Sequence, residues 1–199
     1  MQAVRMLQGR GLPLDRSDVD TDQIIPAHWL KRVERSGFGQ GLFSAWRQDP
    51  GFVLNDERYA GASVLVAGAN FGVGSSREHA VWALVDYGFR AVIAPRFGDI
   101  FRNNSIRSGL VPAQVAPELG AAVMAAVLAD PSSEVTVDVE SLVVSIPSAG
   151  ISGPFHLDPQ ARERLLAGLD DIAVTLRDAA AIAAFEATRP SWLPSSRVS

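Results

Sequence analysis

Apolar positions are distributed in two ways along the chain. Before Ala60 they are scattered among Gly, Asp and Arg with weak periodicity, which predicts loops wrapped around short elements. From Ala62 onward the pattern tightens. The run ASVLVAG, residues 62–68, is continuously apolar, contains β-branched residues and ends in glycine, as a strand buried on both faces does. REHAVWALVDYG then turns Ala80, Trp82, Ala83, Leu84 and Tyr87 toward a common side and stops at Gly88, which predicts a helix with a glycine C-cap. RAVIAP is a second buried strand stopped by Pro95, and RFGDIFRNNSIRSGL reads as a helix ending near Gly109. This alternation implies parallel strands joined by right-handed crossovers, so the fold class is α/β. A helix over residues 117–129 comes next, and EVTVDV and SLVVSIP form a hairpin that adds antiparallel β elements. Asp158 and Pro159 supply N-cap and N1 chemistry for a helix in DPQARERLLAGL, and DAAAIAAFEATR is a further helix.

Length and composition narrow the class. The 199 residues fit one domain, expected over residues 1–190, with RPSWLPSSRVS ending in a loosely ordered tail over 191–199. Hydrophobic content of 47% and charged content of 20% are ordinary globular values. A formal net charge of −4 gives no electrostatic footprint for nucleic acid or an anionic membrane. The N-terminus lacks the pattern of a secretory signal, and AAVMAAVLA is too short to cross a bilayer, so a cytoplasmic location is expected. With no cysteine, the chain can form no disulfide and no thiolate-ligated metal site. Its three histidines, His28, His79 and His156, are widely separated, and no metal site is expected in this chain.

The chemistry concentrates in NFGVGSSREHA, residues 70–80. This stretch follows a buried strand, at the end where ligands bind in open α/β sheets. Gly72 and Gly74 permit a tight turn and close backbone approach, and the helix that follows offers unpaired N–H groups to negative charge. Ser75 and Ser76 add hydroxyls, and Arg77 adds a planar fork able to grip a carboxylate with two bonds. The set suits a small carboxylate or phosphate. Ser75 and Glu78 also fit an S-x-x-E capping box, so the residues alone leave two uses of Ser75 open, helix cap or ligand contact. His79, beside that cap, reads as a hydrogen-bonded structural histidine. Other motifs fail on spacing. There is no third glycine of a dinucleotide fingerprint, no P-loop lysine and no G-x-S-x-G elbow. DRSDVDTDQII is not a calcium loop, since Gln23 occupies the place of the required glycine and Trp29 that of the bidentate glutamate.

SDVDTDQIIPAHWL and NFGVGSSREHAVWALVDYG together resemble the small subunits of 3-isopropylmalate dehydratase, the isopropylmalate isomerase of leucine biosynthesis and a branch of the aconitase superfamily. The similarity continues in order through SGFGQGLFSAWR, FVLN, VIAPRFGDIF and GLDDIAVTLRDAAAIAAFE. The resemblance implies a swivelling β/β/α three-layer domain with a mainly parallel sheet plus antiparallel elements. It also implies a hydro-lyase that isomerises 2-isopropylmalate and 3-isopropylmalate through an unsaturated diacid. The enzyme would be active only with a large subunit that bears a [4Fe-4S] cluster, the cluster iron polarising the leaving hydroxyl while a base takes the carbon-bound proton.

Carried over residue by residue, Ser75 is the base, acting as an alkoxide favoured by the helix N-terminus and nearby cations; Ser76 assists it and Arg77 holds a substrate carboxylate. Asp22 orients the substrate-binding arginine; without that role it is an ordinary turn residue. HWLKRVERSGFG, residues 28–39, resembles a mobile substrate-selecting loop in which Leu30 would meet the isopropyl group and Arg35 a carboxylate. Lys31 and Arg32 compete with Arg35 for that contact, and a solvated basic face is the alternative for all three. Val73 stands between the glycines where some relatives carry another residue. Two further readings are a related diacid hydro-lyase, homoaconitase-like or citraconate hydratase-like, and a non-catalytic anion-binding module.

Overall fold

The structure, a computed structural model, describes residues 1–31, 37–75, 77–189 and 192. The predicted alternation is present. Strand β1 (Met6–Leu14) leads to a one-turn helix α1 (Thr21–Ile24) and then to a series of short 3-10 turns reaching Tyr59. After these come β2 (Val64–Ala67), α2 (Glu78–Tyr87), β3 (Ala91–Ala94), α3 (Asp99–Ser108), β4 (Val111–Val115) and α4 (Pro117–Ala129). The hairpin is β5 (Glu134–Asp138) and β6 (Val143–Ile146), followed by β7 (Ile151–His156), α5 (Pro159–Ala167), α6 (Asp171–Leu176) and α7 (Ala179–Ala187).

The seven strands close into a barrel in the order β1-β2-β3-β4-β7-β6-β5. Strands β1 to β4 run parallel, with Gly11 opposite Val64, Val64 opposite Ala91 and Ala91 opposite Val111. The other pairings, β4 with β7, β7 with β6, β6 with β5 and β5 with β1, are antiparallel. Every residue of β2 and β3 is buried, as their continuous apolar sequence requires of strands covered on both faces. Helix α2 ends at Gly88 with φ at +122°, and α3 ends at Gly109 in the left-handed region, both as expected of glycine caps.

One segment departs from the expectation of loops before Ala60. β1 is nine residues long and joins the two parts of the barrel: Met6–Arg10 pairs with β5, and Gly11–Leu14 pairs with β2. Its sequence, MLQGRGLPL, hides this because Gly9, Gly11 and Pro13 interrupt the apolar pattern. The glycines answer to neighbours rather than to the strand. A Cβ on Gly11 would lie 2.7 Å from Val127 Cγ2 of α4, so glycine there lets helix and strand approach.

Candidate active site

Three loops leaving the carboxyl ends of adjacent parallel strands converge. After β1, Gly68 N–H donates to the Arg16 carbonyl (3.0 Å) and Asp18 N–H to the Ala69 carbonyl (2.8 Å). After β3, Phe71 N–H donates to the Arg96 carbonyl (3.0 Å) and Gly98 N–H to the Phe71 carbonyl (2.9 Å). The loop after β2 is thus held on both sides by backbone. Asn70 takes a left-handed φ of +58°, tolerated by asparagine, and its amide donates to Asp18 Oδ1 at 2.7 Å. Gly72, with φ of +73°, lies against the Phe101 ring and donates to the Val19 carbonyl at 2.7 Å.

Helix α1 comes up beside this loop. Asp20 caps it through a reciprocal box, its carboxylate accepting from Gln23 N–H (2.7 Å) and its own N–H donating to Gln23 Oε1 (2.9 Å). Thr21, 2% exposed, binds the loop twice: its N–H donates to the Val73 carbonyl at 3.0 Å and its hydroxyl to the Ser75 carbonyl at 2.9 Å. One helical position further, Asp22 accepts a hydrogen bond from Arg77 Nη1. The Arg77 side chain is 17% exposed and that of Asp22 53%, so the pair sits at the mouth of the loop with the guanidinium set back. Asp22 engages only one terminal nitrogen in this arrangement, and the remaining N–H donors can take a ligand carboxylate.

The capping reading of Ser75 does not survive. Helix α2 begins at Glu78, its N-cap is Arg77, and no side chain caps it. Ser75 lies three residues before the first helical residue, too early for a cap, and Glu78 sits at N1 rather than at N3, which also removes its share of the capping box. Ser75 is exposed, and its hydroxyl bonds no described residue. The uncapped N–H groups of the first turn face a region where negative charge is favoured. His79 is packed rather than hydrogen-bonded among the described residues, with its ring 5.3 Å from Phe38 and 4.7 Å from Trp82.

Ser75, Arg77 and Asp22 are brought together; Ser76 and Arg35 lie outside the described residues, as does Arg32. Leu30 occupies a 3-10 turn, Ala27–Lys31, half-buried and packed against the core, and Lys31 is exposed. The described ends of the 28–39 segment are well anchored. The Trp29 indole donates to Ser44 Oγ (3.2 Å) and lies so close to Gly41 that a Cβ there would be 2.6 Å from its ring. Gly39 N–H donates to Asp86 Oδ2 of α2 at 2.8 Å. Sequence reasoning missed Asp20 and Thr21. The D-x-x-Q spacing of Asp20 and Gln23 could have revealed the cap, but Thr21 carries no local signal for its contact fifty-four positions away.

Residues 1–118 match the family model for the aconitase C-terminal domain, and residues 171–194 match the model for the C-terminal domain of the 3-isopropylmalate dehydratase small subunit. A curated 3-isopropylmalate dehydratase small subunit from Frankia alni is 59% identical over 98% of this chain and 100% of its own length. The chain belongs to the 3-isopropylmalate dehydratase small-subunit family. A second member of this family, from Acidothermus cellulolyticus, is 60% identical over 96% of each chain. A solved 3-isopropylmalate dehydratase structure from Methanocaldococcus jannaschii has a TM-score of 0.68 and 26% identity, covering 90% of this chain and 99% of that one. The mixed α/β barrel is therefore the aconitase small-domain fold, and the family makes the chain one part of a heteromeric hydro-lyase with a large-subunit partner.

An iron–sulfur cluster does not fit this chain. Cluster irons are held by thiolates, and the chain has no cysteine. Among the described residues, no group of three or more His, Asp or Glu side chains could hold a metal ion, and no helix is long and apolar enough to cross a membrane.

Proposed function

We propose that the chain supplies the carboxylate grip and the proton-moving group of a 3-isopropylmalate dehydratase that interconverts 2-isopropylmalate and 3-isopropylmalate in leucine biosynthesis. The observation that carries this reading is the exposed Ser75, its hydroxyl unbound by described residues, one residue beyond the twin positive-φ glycines and two residues before the Asp22-held Arg77. Arg77 binds one substrate carboxylate through the donors Asp22 leaves open. The Ser75 oxygen takes the carbon-bound proton during water loss and returns it during readdition. Ser76 assists Ser75, and Leu30 and Arg35 contact the isopropyl group and the second carboxylate. A [4Fe-4S] cluster is assigned to the large subunit, and the complex to the cytoplasm.

The name shared by the full-length relatives favours isopropylmalate over other diacids. The test is dehydration of 3-isopropylmalate by this chain mixed anaerobically with a cluster-loaded large subunit, followed by absorbance of the unsaturated diacid, with each component alone as control. Turnover only in the mixture is expected. Ser75→Ala should lower kcat by about 10²–10⁴-fold, the usual contribution of a positioned acid–base group. Turnover by Ser75→Ala within a few-fold of the parent would remove Ser75 from the chemistry and leave a non-catalytic anion site.

A further inference from the structure

Helix α2 holds more than the serine-bearing loop. Its N-cap is Arg77, bonded to Asp22, while His79, Trp82 and Asp86, at the i, i+3 and i+7 spacing of one helical face, meet the turn Phe38–Gly41. Phe38 is buried, with its ring 5.3 Å from the His79 imidazole and 5.8 Å from the Trp82 indole. The Asp86 carboxylate accepts from Gly39 N–H at 2.8 Å, and a Cβ on Gly39 would lie 2.8 Å from the Tyr87 nitrogen, so the turn rests directly on the helix backbone. The end of the turn meets Trp29. A Cβ on Gly41 would lie 2.6 Å from the indole, whose N–H donates to Ser44 Oγ at 3.2 Å. Leu30 follows Trp29 in the 3-10 turn Ala27–Lys31. Described residues thus form a continuous packed line from Arg77 through α2 and the turn Phe38–Gly41 to Trp29 and Leu30.

Resting on the reading of Arg77 as the carboxylate grip and Leu30 as the isopropyl contact, we propose that Asp86 and Trp29 are positioning residues for substrate choice. They fix the reach from Arg77 to Leu30, and with it the size of the malate substituent the site accepts. Both act through Leu30 rather than on the substrate. The helix between Glu78 and Asp86 supplies a rigid span of about 12 Å at 1.5 Å per residue. One methylene in an apolar pocket is worth about 10–200-fold in kcat/KM. That discrimination needs a wall that stays in place, because a gap of about 0.5–1 Å forfeits a quarter to a half of each dispersion contact. A wall on a loose strap would take methyl and isopropyl substituents alike. Here glycine stands at both contact points of the turn, leaving no side chain to give way between helix, turn and indole. The Gly39–Asp86 and Trp29–Ser44 hydrogen bonds lock the two ends of the line. The two groups that read the substrate are therefore spaced by contacts within this chain.

The test compares dehydration of 3-isopropylmalate with that of 3-methylmalate, two carbons shorter in its substituent, by the full chain assembled anaerobically with the cluster-loaded large subunit. Asp86→Ala should lower kcat/KM for 3-isopropylmalate by ~30-fold, mainly through KM, and leave that for 3-methylmalate within about threefold of the parent, so that the preference between them falls ~10-fold or more. Asp86→Asn, whose amide oxygen can still accept from Gly39 N–H, should restore the parental preference. Ser44→Ala, which removes only the acceptor of the Trp29 indole, should shift the preference in the same direction, and it decides the question if Asp86→Ala does not fold. A parallel fall for both diacids marks a merely structural role and overturns the proposal. So does a preference within about twofold of the parent, or an asparagine no better than alanine; in each of these cases an active parent leaves the assignment of function intact. A parent complex that turns over neither diacid sinks the assignment of function and the proposal with it.

Discussion

Replacing Gly72 by alanine asks whether the serine-bearing loop is held by sterics or only by its hydrogen bonds. Gly72 has φ of +73°, and an added Cβ would lie 2.6 Å from Phe101 Cβ and 2.7 Å from Cδ1, with Cγ closer still. Phe101 is 2% exposed and its ring is bracketed by Phe71 and Phe97, so it has nowhere to retreat. The left-handed conformation costs an alanine about 1–2 kcal/mol, overpacking adds about 1–3, and reduced freedom of the unfolded chain returns about 0.4–1. The net loss is about 1–5 kcal/mol, each kcal/mol corresponding to a fall of roughly 2–4 °C in Tm for a chain of this size. Gly74→Ala is the internal control. Its φ of +90° carries the conformational cost, but its Cβ would meet only Asp20 Cβ at an ordinary 3.5 Å. Urea melts of both variants, and of Gly72→Ala combined with Phe101→Leu, separate the two contributions. A Gly72→Ala variant within about 0.5 kcal/mol of the parent, or no worse than Gly74→Ala, refutes the steric account.

Thr21→Val removes the hydroxyl that positions the Ser75 carbonyl, and should lower kcat at nearly constant KM with a stability loss of about 1 kcal/mol, the usual net worth of one hydrogen bond; Thr21→Ser should restore the rate. Asp22→Asn keeps the shape but weakens the hold on Arg77, so KM for isopropylmalate should rise, by ~10-fold, more than kcat falls; an unchanged KM in steady-state kinetics excludes the orienting role. The pH dependence of stability offers a test away from the site. The Ser141 hydroxyl, with the backbone N–H groups of Ser141 and Glu140, holds the Asp138 carboxyl below its ordinary value of 3.8. A carboxyl depressed in the folded state stabilises it above the unfolded value and loses that contribution as pH falls through the folded one. Ser141→Ala should therefore be less stable than the parent near pH 6 and converge with it as pH falls through the folded-state value, which lies below 3.8, as chemical denaturation across that range would show.

The strands β2 and β3, the helix between them and the glycine stops were legible in sequence because each is specified locally. Four consecutive apolar residues, a 3.6-residue period or a glycine forced to positive φ needs no distant partner to be recognised. The positive-φ glycines and the Ser75 and Arg77 side chains of residues 70–77, which read as an anion site, were likewise visible in the sequence, and the multi-block family resemblance supplied the chemistry that spacing could not. Strand β1 and the closure of the barrel were not legible, because Gly9, Gly11 and Pro13 break the apolar pattern, and the two glycines answer to close neighbours, Ser63 and Val127, rather than to strand propensity. The two uses of Ser75 could be separated only in three dimensions. The sequence permits a capping box at Ser75 and Glu78, whereas the pull of Thr21 on the Ser75 carbonyl and of Asp22 on Arg77 accompanies a helix that starts three residues later. Local energies of capping and turn formation are about 1 kcal/mol, comparable to a single tertiary hydrogen bond, so contacts from a segment more than fifty residues away can decide which local option the chain takes.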